Sequence, residues 1–233
     1  QGGIFMDTYN AYDIYKDIRT RTGGDIYLGV VGPVRTGKST FIRNFANLMI
    51  LPYIEDPNAA ARIRDELPQS GTGRTIMTTE PKFVPAEAAE IHLGSSMSCR
   101  VRLIDCVGYM VDGASGSFEP GADGEIRMIS TPWEDDPLPF DVAAETGTRR
   151  VITEHSTIGV IVTTDGSISS IPRSQYEESE ERVVDELRKA KKPFVLVLNT
   201  TDPYSEDALA LAQSLEEKYD APVIPADCLN MTE

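Results

Sequence analysis

Gly32-Pro33-Val34-Arg35-Thr36-Gly37-Lys38-Ser39-Thr40 is the stretch whose reading decides the fold. It matches the pattern G-x-x-x-x-G-K-[ST], and its flanks match as well. Before it runs Asp25-Ile26-Tyr27-Leu28-Gly29-Val30-Val31, an apolar run of strand length. After it, Phe41, Ile42, Phe45, Leu48 and Met49 recur at helical spacing. Strand, glycine loop, helix is the order that lets backbone N–H groups curl around phosphate oxygens. Gly32 and Gly37 permit the curl, and the first turn of the helix adds partial positive charge. In such a loop Lys38 reaches the β- and γ-phosphates and the Ser39 hydroxyl ligates Mg²⁺. A chance match in an ordinary glycine turn would lack the strand and the helix.

Working outward, the second half of the expected site lies at Asp105-Cys106-Val107-Gly108. Ala89–Leu93 and Cys99–Ile104 read as two strands joined by a Gly-Ser turn, the second delivering Asp105 at its C-terminal end. Asp105 is expected to serve the Mg²⁺ through water, and the Gly108 N–H to meet the γ-phosphate. Between the two motifs, Arg74-Thr75-Ile76-Met77-Thr78-Thr79-Glu80-Pro81 follows a Gly/Ser-rich loop. A threonine from a mobile loop in that position senses the γ-phosphate and the metal in nucleotide switches. Thr78 and Thr79 are the candidates; Thr75 also reads as part of a β-rich stretch.

Residues 109–140 carry many glycines, prolines and acids, and read as a long loop that expands the switch following Asp105. Trp133, the only tryptophan, reads either as an interface anchor or as a local packing residue. Helices are expected over 8–22, 55–67, 141–154, 176–191 and 206–219, the fourth with Val183, Val184 and Leu187 inward. Its Glu177, Glu178, Glu180, Glu181, Asp185 and Arg188 read as a solvated face. Apolar strands are expected at 157–164, 193–198 and 222–225. Alternating strands and helices imply a mostly parallel sheet with helices on both faces.

The strand at 193–198 ends in Asn199-Thr200-Thr201-Asp202. Guanine-specific sites use N-K-x-D there, the Asp gripping the base and the Lys stem lying along its face. Asn199 and Asp202 are in register, but Thr200 is too short to cover a purine, and Asp202 could equally accept from the adenine amine. Tyr109 and Met110 stand where a water-orienting glutamine often does, so hydrolysis is expected to be slow or to need a group from a neighbour.

The 233 residues suffice for one large α/β domain, and 40% hydrophobic with 25% charged residues suits a globular core. Lys+Arg 22 against Asp+Glu 37, a formal net charge of −15, argues against nucleic acid or an anionic membrane as the main surface partner. Cys99, Cys106 and Cys228 are too scattered for a disulfide framework, and reduced cytosolic thiols are the simpler reading. His92 and His155 form no metal motif. No stretch approaches the ~18 consecutive apolar residues of a membrane span. Gln1–Phe5, ahead of Met6, read as a tag remnant outside the fold.

The chain resembles the ATPase domain of the sporulation stage IV protein A family. The resemblance is carried by GGDIYLGVVGPVRTGKSTFI (23–42), DELPQSGTGRTIMTTEPKFVP (65–85), VRLIDCVGYMV (101–111), ISTPWEDDPLPF (129–140) and EHSTIGVIVTTDGSI (154–168). It implies a three-layer P-loop NTPase fold of the GTPase-like (TRAFAC) type, with one antiparallel edge strand. It further implies that ATP, with Mg²⁺, is hydrolysed in place of GTP. In that reading Gly32–Thr40, Gly108, Asn199 and Asp202 bind the nucleotide. Lys38, Thr78, Thr79 and Asp105 act in catalysis, and Ser39, Thr79 and Asp105 serve the metal. Family members self-assemble on the forespore surface in the mother-cell cytoplasm, recruited by a small amphipathic membrane protein and overlaid by coat proteins. Those contacts are expected in middle and C-terminal domains beyond this stretch. A reversible regulatory GTPase and a structural protein that binds nucleotide without turnover are the competing readings.

Overall fold

The computed structural model describes residues 24–68, 80–93, 97–111 and 127–232. The helix expected over 8–22 and the threonines at 75, 78 and 79 lie outside the described residues. The six-stranded sheet has the order β2-β3-β1-β6-β7-β8. Its strands are β1 (Asp25–Val31), β2 (Lys82–Leu93), β3 (Met97–Asp105), β6 (Ile158–Thr164), β7 (Phe194–Asn199) and β8 (Val223–Ala226). β3, β1, β6, β7 and β8 run parallel, and β2 pairs antiparallel with β3 at the edge. The antiparallel edge strand and the mostly parallel sheet are as expected.

Side-chain alternation along these strands builds two cores, because successive residues point to opposite faces. Ile26, Val30, Val101, Leu103, Val160, Val162 and Val197 share one face with Phe41, Ile42 and Ala46 of α1 (Lys38–Met49) and Ile63 of α2 (Pro57–Glu66). Val31, Ile104, Ile161, Leu196 and Leu198 pack on the other face. There they meet Val183, Val184 and Leu187 of α4 (Glu177–Lys189) and Ala212 and Leu215 of α5 (Glu206–Tyr219). The result is three layers, helices on both faces of one sheet. Local chemistry starts the helices: the Asp56 carboxylate accepts from Asn58 N with Pro57 in the first turn, and Ser205 Oγ accepts from Ala208 N.

Two expectations need correction. Part of the expected 109–140 loop is ordered: β4 (Met128–Thr131) and β5 (Glu134–Pro139) form an antiparallel hairpin turning at Pro132-Trp133. A two-stranded ribbon leaves one edge of each strand unpaired, which is why it tolerates Pro137 and Pro139. It leads directly into α3 (Phe140–Arg150), whose Phe140 is fully buried, with Arg127 over its ring at 4.9 Å. Trp133 packs locally, with Arg150 over its ring at 5.2 Å. Residues 112–126 lie outside the described residues.

The second correction concerns Glu180, expected on a solvated face and found completely buried. Its carboxylate accepts two bonds from Arg173, both 2.7 Å, one from Tyr219 Oη at 2.8 Å, and one from Thr163 Oγ1. Helical spacing alone could not reveal this, because the partners come from β6, α5 and the turn before α4.

A buried carboxylate that loses its cation is left uncompensated, which costs about 3–5 kcal/mol. Arg173→Leu is therefore expected to lower unfolding free energy by about 3–5 kcal/mol in urea titrations. A change below about 1 kcal/mol, the range of an exposed pair, would contradict the network.

Candidate functional site

β1 ends at Val31, and the chain turns through Gly32–Gly37 into α1 at the carboxyl edge of the sheet. Gly37 stands at φ 94°, in the left-handed region, and a Cβ there would lie 2.3 Å from Asn199 Nδ2. Both the backbone and the space therefore demand glycine. Thr36 Oγ1 donates to Pro33 O at 3.0 Å, and Asn199 Nδ2 donates to Thr36 O at 2.9 Å, so β7 clamps the loop from one side. Asn199 Oδ1 in turn accepts from Cys228 N at 3.0 Å. α1 begins with no side-chain cap and no acidic residue in its first turn. Its N-terminal N–H groups and the positive end of its dipole are thus offered to an anion.

Lys38 is 5% exposed, and its Nζ donates to Pro33 O at 2.6 Å and Gly32 O at 3.4 Å. Burial pulls its pKa below the usual lysine range, opposed by Cys106 and by Asp105. Beside it, Ser39 Oγ donates to Asp105 Oδ2 at 3.0 Å, while Asp105 Oδ1 is buried without a hydrogen-bond partner. Burial pushes the Asp105 carboxyl upward, against the charge of Lys38 and the Ser39 bond. A buried carboxylate oxygen left unsatisfied next to a hydroxyl suits a hard divalent cation. The described residues hold no cluster of three or more His, Cys, Asp or Glu side chains able to hold a metal. A cation held between Ser39 and Asp105 would take the rest of its shell from groups outside such a cluster.

The segment after Asp105 is sewn to the glycine loop. Tyr109 N donates to Gly32 O at 3.2 Å and Val34 N donates to Tyr109 O at 2.8 Å, forming a parallel bridge between Pro33 and Tyr109. Gly108 sits at φ 100°, and a Cβ on it would lie 2.2 Å from Gly32 O and 2.6 Å from Lys38 Nζ. Its N–H, expected to face the γ-phosphate, donates to Thr148 Oγ1 at 3.1 Å. The Tyr109 side chain runs the other way. Its hydroxyl bonds to Glu186, and Arg182 lies 4.5 Å over its ring. Met110 O accepts from Ser179 Oγ at 2.6 Å. Burial pushes the Cys106 thiol up to about 11, which keeps it an unreactive thiol.

Thr148 and Glu186 were not expected at the site, and the bond of Tyr109 to Glu186 was not either. These contacts span 40 and 77 residues, so no local signal in the sequence marks them. Asp202 lies at the surface, and its Oδ1 accepts from Tyr204 N at 3.3 Å. Asp165, also unexpected, accepts from Thr200 Oγ1 at 2.6 Å and from Ser167 N and Oγ at 2.9 and 2.6 Å. Partial burial pulls its carboxyl up, yet the bonds from Ser167 and Thr200 prevail and hold it below the usual carboxylate range.

A mostly parallel sheet flanked by helices, with a glycine loop feeding an uncapped helix at its carboxyl edge, is the form of an ATPase domain. The profile described as "Stage IV sporulation protein A, ATPase domain" matches residues 9–233. Over 221 residues, 95% of this chain, the sequence is 56% identical to Stage IV sporulation protein A of Bacillus anthracis. Identity is 55% with the protein of that name from Bacillus subtilis (strain 168) and 54% with that of Clostridioides difficile (strain 630). The chain belongs to the Stage IV sporulation protein A ATPase domain family. It spans 44% of the length of each of these relatives.

Gly108→Ala tests the seam between Lys38 and Tyr109. The new methyl must displace backbone and enters a φ disfavoured for alanine, so destabilisation of about 1–3 kcal/mol is expected in thermal or urea unfolding. Unchanged stability would mean that the Gly32–Tyr109 bridge is not formed in solution.

Proposed function

We propose that the chain binds and slowly hydrolyses ATP, with Mg²⁺, as a P-loop NTPase domain of the GTPase-like (TRAFAC) type. The observation that carries this reading is the unsatisfied, buried Asp105 Oδ1 beside the Ser39 hydroxyl, at the foot of an uncapped helix. Ser39 and Asp105 would hold the Mg²⁺, which supplies positive charge to the β- and γ-phosphate oxygens. Lys38 exchanges its loop carbonyl acceptors for phosphate oxygens, a stronger, charge-assisted pairing. The loop N–H groups hold the β-phosphate in place, and burial raises the worth of each charge.

Slow turnover follows from the residues on either side of Gly108. The Tyr109 hydroxyl is committed to Glu186, and the Cys106 thiol is a poor base when its pKa is about 11. Neither can orient an attacking water. Thr78 or Thr79, by the position of their segment between the phosphate loop and Asp105, would sense the γ-phosphate, and Thr79 would serve the metal. ATP is favoured over GTP because Thr200 replaces the lysine of the guanine motif; Asn199 and Asp202 keep the regulatory-GTPase alternative open to test.

For the longer proteins of the family, we propose that hydrolysis drives the change to a self-assembling form. That form polymerises on the forespore surface in the mother-cell cytoplasm, as a basement layer for coat proteins. A small amphipathic membrane protein would anchor it through parts beyond this chain. No described helix is long and apolar enough to cross a membrane.

Isothermal titration with ATP and GTP in Mg²⁺, together with phosphate release, tests the central reading. Micromolar-range ATP binding with weaker GTP binding is expected, and clear GTP preference would favour the regulatory GTPase instead. Lys38→Ala and Asp105→Asn are each expected to lower phosphate release by about 100-fold or more. Unchanged release in both would leave a nucleotide-binding protein without turnover.

A further inference from the structure

The phosphate side of the proposed site belongs to α1, which follows β1 and supplies Lys38 and Ser39, and to β3, which supplies Asp105. The other strand ends beside the glycine loop are those of β6 and β7, on the opposite side of β1. In an open parallel sheet the ligand lies outside the carboxyl ends of the strands. A nucleotide whose phosphates are held between Lys38 and Asp105 therefore sends its base toward β6 and β7.

There the two strand ends are clasped together. Thr164 and Asn199 are register partners, which sets Asp165 and Thr200 side by side one residue on. Thr200 is 1% exposed, and its hydroxyl does two jobs. It donates to Asp165 Oδ2 at 2.6 Å and accepts from Asp202 N at 3.3 Å. Ser167 completes the clasp, donating to Asp165 Oδ1 at 2.6 Å and accepting from Thr201 N at 3.0 Å. The next residue, half-buried Ile168, brings its Cδ1 within 4.0 Å of where a Cβ on Gly37 would lie. Asn199, immediately before Thr200, is bonded to Thr36 O of the same loop. One carboxylate thus orients both the strand end that carries Asp202 and the loop that carries an apolar side chain to the glycine loop.

We propose that Asp165 is a specificity-determining positioning residue for the nucleotide base. Through Thr200 and Ser167 it holds Asp202 as a hydrogen-bond acceptor and Ile168 as an apolar wall, replacing a lysine stem at position 200. A lysine there covers a base face by its own methylene chain; a threonine cannot, so the covering surface must come from a neighbouring loop, and that loop must be fixed. Asp165 fixes it. The inference rests on the nucleotide reading above and adds to it the residues that read the base.

The test separates base from phosphate. Asp165→Ala and Thr200→Val are titrated with ATP, GTP and inorganic tripolyphosphate, each with Mg²⁺, alongside the parent protein and Thr200→Ser. Both variants are expected to lose about tenfold in ATP affinity and most of the ATP-over-GTP preference, while tripolyphosphate binding stays within about twofold. Thr200→Ser, which keeps the hydroxyl, is expected to bind ATP as the parent does. Parallel weakening toward ATP and tripolyphosphate would mean a general loss of structure and overturns the assignment, as does undiminished ATP affinity in both variants. A parent protein that binds tripolyphosphate with no gain from the nucleoside overturns the base wall alone. One that binds neither ligand overturns the nucleotide reading, and this inference with it.

Discussion

A buried ammonium group governs the centre of this molecule. Lys38 is almost sealed from water, and an amine in that position must find oxygen acceptors or lose its proton. It finds them in Gly32 O and Pro33 O, with the Asp105 carboxylate close enough to favour its charge. Everything around it conforms. Gly108 has no side chain because one would strike Nζ. Tyr109 pairs its backbone with Gly32 and Val34, so the segment after Asp105 is held at the distance the lysine requires. Asn199 secures the far side of the same loop.

The loop is thereby closed on itself by interactions that phosphate oxygens would outbid. Pro33 O and Gly32 O are neutral acceptors, and a charged oxygen is roughly twice as good a partner for an ammonium. Tyr109 N shares the Gly32 O acceptor with Lys38, and the Tyr109 side chain is tied to α4 through Glu186, beneath the guanidinium of Arg182. Arg182 in turn makes a two-bond pair with Glu145 of α3 at 2.8 and 2.7 Å. The glycine loop and the surface of α3 and α4 are thus joined by a short chain of contacts.

Buried charge recurs away from the cradle. Glu180 and Arg173 tie β6, α4 and α5 together. Such a pair contributes little net stability compared with apolar packing, but breaking it leaves a charge stranded. Its effect is to hold the 165–172 loop in one place, the loop on which Asp165 and Ile168 sit. The acidic composition of the chain is therefore not all surface.

Much of this architecture was legible in the chain itself. The apolar run from Ile26 to Val31, the helical spacing from Phe41 to Met49 and the glycine loop between them are local patterns, and local geometry dictates them. The mostly parallel sheet follows from alternating elements, and the positions of Lys38, Ser39 and Asp105 follow from where loops must fall relative to strand ends. The roles of Glu180, Thr148 and Asp165 and the partner of Tyr109 were not legible. Their roles depend on partners as far as 77 residues away, and on whether an acid lands against an arginine or against water. The hairpin at 128–139 was hidden for a related reason: its prolines read as loop residues until a ribbon with free edges accommodates them. Periodicity determines which way a side chain points; only the assembled tertiary structure decides what it meets there, because burial and hydrogen bonding are properties of neighbours brought together by folding.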